Sequence, residues 1–122
     1  MRRWHLVVSI AVVLASNSEA TAQAKSAQPE YVGRWAHKPA WCKNRRGTSD
    51  EIPLAFSLGG YQGLDEACRF EKIVGGSGRW QIFQVCSGEG DSHSDRVELA
   101  VKGNKLTMSY QNGQKFQFTR CP

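Results

Sequence analysis

From Tyr31 onward, apolar residues recur at alternate positions in short runs, and clusters of Gly, Asn, Ser and Asp stand between the runs. Alternation of that kind marks half-buried β-strands joined by turns. Seven runs carry it: Tyr31–Ala36, Ile52–Leu58, Glu66–Val74, Arg79–Cys86, Asp95–Lys102, Lys105–Gln111 and Gln114–Arg120. The stretches between them read as a long basic loop (38–51), glycine-rich turns at 59–63 and 75–78, a turn over Ser87–Ser94, and two tight hairpins at Gly103-Asn104 and Asn112-Gly113. No segment sustains a helical period.

Within the last three runs one face is apolar: Val97, Leu99 and Val101, then Leu106, Met108 and Tyr110, then Phe116 and Phe118. Their neighbours are mostly polar, so the sheet has one wet face and one buried face. The expected fold is all-β, an antiparallel meander of about seven strands closed or nearly closed into a small barrel, with a two-sheet sandwich as the other solution. Trp35, Phe56, Phe70, Ile82, Leu99, Met108 and Phe118 are expected to fill its interior.

The first 24 residues do not belong to that pattern. A basic start (Met1–His5), an apolar run (Leu6–Ala15) and a small-residue stretch ending in Ala22-Gln23-Ala24 have the three-part layout of a secretory signal. The run is well short of the roughly 20 residues a membrane-spanning helix needs, so no membrane span is expected after cleavage. The expected organisation is a signal peptide over 1–24, a flexible leader over 25–30 and one domain over 31–122, acting as a monomer in the periplasm or as a secreted protein.

Cleavage leaves 122 − 24 = 98 residues. A domain of that size buries only about 60–65% of the surface its unfolded chain exposes, so its stability margin is thin. All four cysteines, Cys42, Cys68, Cys86 and Cys121, lie in the mature part. An even count in an oxidising compartment reads as two disulfides, and spacings of 26, 18 and 35 positions do not suit a four-cysteine zinc site. Of three possible connectivities, Cys42–Cys121 with Cys68–Cys86 is preferred. If each of seven strands reverses the last, Cys42 and Cys121 meet at one end of the barrel, and Cys68 and Cys86 face each other across a hairpin. The mature net charge is (16 − 2) − (11 − 1) = +4, too small by itself to argue for nucleic acid, and none is expected as a partner.

Gly33-Arg34-Trp35, with Arg120 near the far end of the chain, resembles the Gly-x-Trp opening of lipocalin-like barrels. The resemblance implies that Arg120 packs its cation over the Trp35 ring and that Gly33, Trp35 and Arg120 close the barrel. Secreted inhibitors of metalloproteases and lysozymes are similar small barrels; this chain departs from the lysozyme inhibitors at Ser77-Gly78-Arg79-Trp80-Gln81, where they carry tyrosine in the glutamine's place. In overall layout the chain resembles small uncharacterised four-cysteine exported proteins of proteobacteria, through Gly33-Arg34-Trp35, Cys42, Cys68, Trp80, Cys86–Gly90, Leu106 and Arg120-Cys121. That resemblance implies no activity.

Candidate chemistry concentrates in two loops. Lys38, Trp41, Lys43, Arg45 and Arg46 place four cations and an indole on a segment anchored by Cys42, a combination suited to an anionic envelope component or the acidic rim of a partner protein. Gly88–Asp95 holds three carboxylates and His93, but its spacing matches no calcium loop, and no metal or cofactor is expected. No nucleophile elbow or phosphate-cradling glycine loop is present, so no catalytic residue is assigned. The expected function is therefore non-enzymatic: an exported binding module for an envelope component or partner protein, with inhibition of a hydrolase as one form of it. The alternative is a lipocalin-like carrier of a small apolar ligand, which requires a hollow interior.

Overall fold

The computed structural model describes residues 28–122; the expected signal peptide and the first half of the leader lie outside the described residues. Eight antiparallel strands follow one another in chain order and close into a barrel. They are β1 (Gly33–Ala36), β2 (Leu54–Ser57), β3 (Gly60–Gln62), β4 (Ala67–Gly76), β5 (Arg79–Gly88), β6 (Asp91–Lys102), β7 (Lys105–Tyr110) and β8 (Lys115–Arg120). A single 3-10 turn, η1 (Pro39–Lys43), interrupts the series after β1. Among the described residues no helix is long and apolar enough to cross a membrane.

The strand beyond the expected seven is β3, which lies in the glycine-rich stretch 59–63 whose composition predicts a turn. Its backbone approaches β4 so closely that a Cβ on Gly60 would stand 2.0 Å from the carbonyl oxygen of Cys68. Glycine is needed here for contact between backbones, and this is why its presence does not mark a turn. Likewise Ser87–Ser94 is mostly strand: β5 and β6 pair as far as Gly88 and Asp91, leaving Glu89 and Gly90, both at positive φ, as the two-residue turn. At Gly103-Asn104 only the glycine has positive φ, and at Asn112-Gly113 the glycine again, with its N–H bonded to the Tyr110 carbonyl at 3.1 Å. The latter is a three-residue hairpin loop with a left-handed glycine at its end.

An eighth strand also changes where the chain finishes. β8 runs antiparallel to β1, pairing Trp35 with Arg120 and Ala36 with Thr119, so Cys121 emerges beside the start of β1 and its N–H bonds to the Arg34 carbonyl at 2.8 Å. Cys42, beyond the other end of β1, reaches it because η1 folds back along the outside of the β1–β8 seam. The disulfides are the preferred ones, Cys42–Cys121 and Cys68–Cys86. The first is formed by a loop that doubles back, and not by two strand ends meeting at one rim.

The seam is otherwise short, with two register pairs, and a cation strengthens it. The Arg120 guanidinium lies 4.2 Å from the centre of the Trp35 ring, and its Nη1 and Nη2 donate to the carbonyls of Val32 (3.2 Å) and Glu30. Gly33, at φ 140°, leaves room for it, since a Cβ there would sit 3.0 Å from Arg120 Nη1. The Trp35 indole N–H donates to the Tyr31 carbonyl at 2.8 Å, so its one polar atom is satisfied inside the core.

Trp35, Ile82, Leu99 and Leu106 have 0% accessible surface, so no water-sized void adjoins them. Tyr31, Phe56, Phe70, Trp80, Met108 and Phe118 complete the filling. This is a solid interior of the kind an eight-stranded barrel packs with its own side chains. Phe116, expected on the buried face, is instead 39% exposed, because β8 carries it to the rim where no strand covers it.

The two crosslinks close loops of 79 and 18 residues. Chain entropy assigns them about 4.5 and about 3 kcal/mol. Replacing Cys42 and Cys121 together by Ser is expected to lower the melting temperature by about 6–12 °C more than replacing Cys68 and Cys86, taking about 4–8 °C per kcal/mol for a domain of this size. Calorimetry of the two double variants checks this, and the reverse order would show that the seam does not depend on its staple.

Candidate functional site

Residues 38–53 form one ordered loop against the seam. Pro39 opens η1, where its missing N–H costs nothing. After η1 the chain turns at Arg45–Thr48, with Thr48 N–H and Oγ1 both donating to the Arg45 carbonyl (3.1 and 2.8 Å) and Gly47 at φ 90°. Asn44 Nδ2 donates to the Glu51 carbonyl at 2.7 Å and closes the base of that turn. With Cys42 bonded to Cys121, the loop is fixed at both its middle and its base.

A surface cleft of about 460 Å³ lies between this loop and β1, lined by Arg34, Lys43, Asn44, Arg45 and Arg46 over Ile52 and Pro53. None of its lining residues is acidic. Arg34 Nη2 donates to the Cys42 carbonyl at 2.9 Å, and Arg46 Nη2 donates to the carbonyls of Gly63 (2.5 Å) and Leu64 (3.3 Å). These bonds position two guanidiniums without neutralising them. Among the described residues no ion pair engages Arg34, Lys43, Arg45 or Arg46.

Of the residues singled out from sequence, Lys43, Arg45 and Arg46 therefore meet in one cleft, while Lys38 and Trp41 do not line it. Trp41 turns to the other side of η1, where its ring meets His37 edge-on at 5.6 Å. His37 in turn contacts Phe118 (4.4 Å) and Phe116 (6.4 Å). The residue missed was Arg34. Strand alternation carried the signal, since a residue between inward-facing Trp35 and Gly33 must point outward toward whatever loop covers β1.

The second loop builds a different surface. β6 pairs with β7 only from Val97 onward, so Asp91–Arg96 projects past it and forms one wall of a cleft of about 440 Å³ lined by Asp65, Glu66, Glu89, Asp91 and His93. His93 Nε2 stands 3.8 Å from Glu66 Oε1 and 3.7 Å from Asp95 Oδ2. Donor atoms of Glu66, Cys86 and His93 lie within 4.8 Å of one another, but the Cys86 sulfur is held in its disulfide and offers no thiolate. Arg46 borders a smaller cleft with Asp65 and Glu66, so the basic and acidic surfaces adjoin at that residue.

Beneath the acidic cleft the wall of the barrel is polar. Buried Gln84 donates from Nε2 to Asp95 Oδ1 at 2.9 Å, while its Oε1 has no partner. Burial, and then the neighbouring Tyr110 and Glu66, push the Tyr61 phenol far above its ordinary value. Burial also raises Tyr110, against a lowering by its hydrogen bond with Tyr61.

A phenol whose folded value is raised leaves stability whole below the unfolded value, near 10, and takes it away as pH climbs above that. The melting temperature is thus expected to fall between about pH 10 and 11.5, and to fall less steeply in Tyr61→Phe. Thermal melts across that range check it; parallel curves for the two proteins would remove Tyr61 as the cause. No known protein family, curated protein or solved structure matches this chain.

Proposed function

We propose that this protein is an extracytoplasmic binding module that holds an anionic ligand in the cleft of Arg34, Lys43, Arg45 and Arg46, and that it works by binding and not by catalysis. One observation carries the proposal: Lys43, Arg45 and Arg46 of a disulfide-fixed loop meet Arg34 of β1 in one cleft, and no carboxylate lines it with them. Unpaired cations in a fixed concave surface raise the local concentration of anions and lose little conformational entropy when one arrives. Guanidiniums already oriented by backbone carbonyls suit the forked geometry of carboxylate, sulfate or phosphate groups. Two disulfides fit an oxidising compartment, where such ligands are carried on envelope surfaces.

Binding of inorganic polyphosphate tests the cleft without assuming any ligand backbone. Lys43→Ser with Arg45→Ser is expected to weaken it about fivefold, from about 0.5 kcal/mol for each exposed pair lost. The dependence of affinity on salt should flatten as well, by about 0.7–0.9 in the log–log slope for each cation removed. Arg46 is left in place because it also holds the loop to Gly63 and Leu64. Titration calorimetry at two salt concentrations gives both quantities. Unchanged affinity in the double variant would remove the cleft as the site.

A further inference from the structure

The side of η1 turned away from the basic cleft carries an aromatic strip at the barrel rim. Trp41 is half-buried, His37 is exposed and Phe116 is 39% exposed; their centroids are 5.6 Å apart from Trp41 to His37 and 6.4 Å from His37 to Phe116. Buried Phe118 backs His37 at 4.4 Å, and half-buried Tyr110 meets Phe116 edge-on at 5.7 Å. The exposed rings are thus braced from behind. Rings that pack only against one another would leave no such row open to solvent, and burial alone does not account for Phe116.

Beside the basic cleft lies a mainly apolar surface cleft of about 430 Å³, lined by Pro39, Ala40, Cys42, Lys43, Arg120 and Pro122. It shares Cys42 and Lys43 with the basic cleft, and its Pro39 and Ala40 directly precede Trp41 in η1. Lys38 and Lys115, next to the strip in sequence, stand in no ion pair among the described residues. A ligand touching both ends must pass from one side of η1 to the other. It must be a chain of several units, bearing flat apolar faces for the rings and acidic groups for the cations.

We infer that the ligand of the basic cleft is an acidic polysaccharide, whose sugar rings lie on Trp41, His37 and Phe116 while its acidic groups meet Arg34, Lys43 and Arg45. This rests on the basic-cleft proposal and adds the ligand's backbone to it. A pyranose ring presents a face of C–H groups, and laying it on an exposed aromatic ring removes apolar surface of both from water. A bare polyanion has no such face to offer. An acyl chain needs enclosed apolar cover, and the interior of this barrel is filled.

The test compares polygalacturonate, with one carboxylate on each sugar, against inorganic polyphosphate and neutral dextran, using the oxidised protein. Polygalacturonate is expected to bind about tenfold tighter than polyphosphate at equal charge, and dextran far more weakly than either. Phe116→Ala should weaken polygalacturonate about threefold to tenfold and leave polyphosphate unchanged. Trp41→Ala should do the same; because Trp41 is half-buried, the exposed Phe116 is the deciding position. Equal affinity for the two polyanions, or indifference of polygalacturonate to Phe116→Ala, would overturn the inference while the basic cleft stands. Dextran bound as tightly as polygalacturonate would overturn its acidic half. Loss of neither polyanion in Lys43→Ser with Arg45→Ser would instead sink the cleft itself.

Discussion

Everything in this protein depends on the closure of the β1–β8 seam. β1 is four residues long and shares two register pairs with β8, whereas the β5–β6 ladder runs to ten. Backbone hydrogen bonds alone would leave the seam the first part of the barrel to open. Three things hold it: the Arg120 guanidinium over Trp35, worth roughly 0.5–2 kcal/mol, the donations of that guanidinium to Val32 and Glu30, and the Cys42–Cys121 bond. The same disulfide that closes the barrel also anchors the loop carrying the basic cleft. Barrel closure and the position of the basic cleft are therefore coupled at one covalent bond.

Surface charge beside the 38–53 loop and the β5–β6 turn is sorted into two clefts that adjoin at Arg46. On one side Arg34, Lys43 and Arg45 meet no carboxylate; on the other, Asp65, Glu66, Glu89 and Asp91 surround a single imidazole. Arg46 is fixed by backbone carbonyls and not by a carboxylate, so it keeps its charge at the boundary. A modest net charge hides this arrangement, because cations and anions that would cancel if interspersed are held apart by separate loops.

The polar wall under the acidic cleft shows a different economy. Cys68 faces Cys86 across β4 and β5, and Cys86 faces His93 across β5 and β6, so one row of residues passes from the covalent core to the solvent. Two rows further along the ladder Gln84 stands opposite Asp95. Burying Gln84 with an unmatched carbonyl oxygen carries a desolvation cost. The ten-pair β5–β6 ladder and the Gln84–Asp95 hydrogen bond keep the two strands together in spite of that cost.

The amino-acid sequence by itself determined the fold class, the core and the presence of two crosslinks, while it only favoured their partners among three pairings. Trp35, Ile82, Leu99 and Met108 fall on one face at a period of two, and a short chain with four cysteines needs its crosslinks. These are local or compositional signals. The tertiary structure alone decided what depends on distant segments meeting. Gly60 is a strand residue only because the Cys68 carbonyl lies against it, Phe116 is exposed because β8 reaches the rim, and Trp41 parts from Arg45 because η1 folds back to Cys121. Residue type fixes what a side chain prefers, whereas which neighbours it finds is set by strand count and direction, and one additional strand reversed the end at which the chain closes.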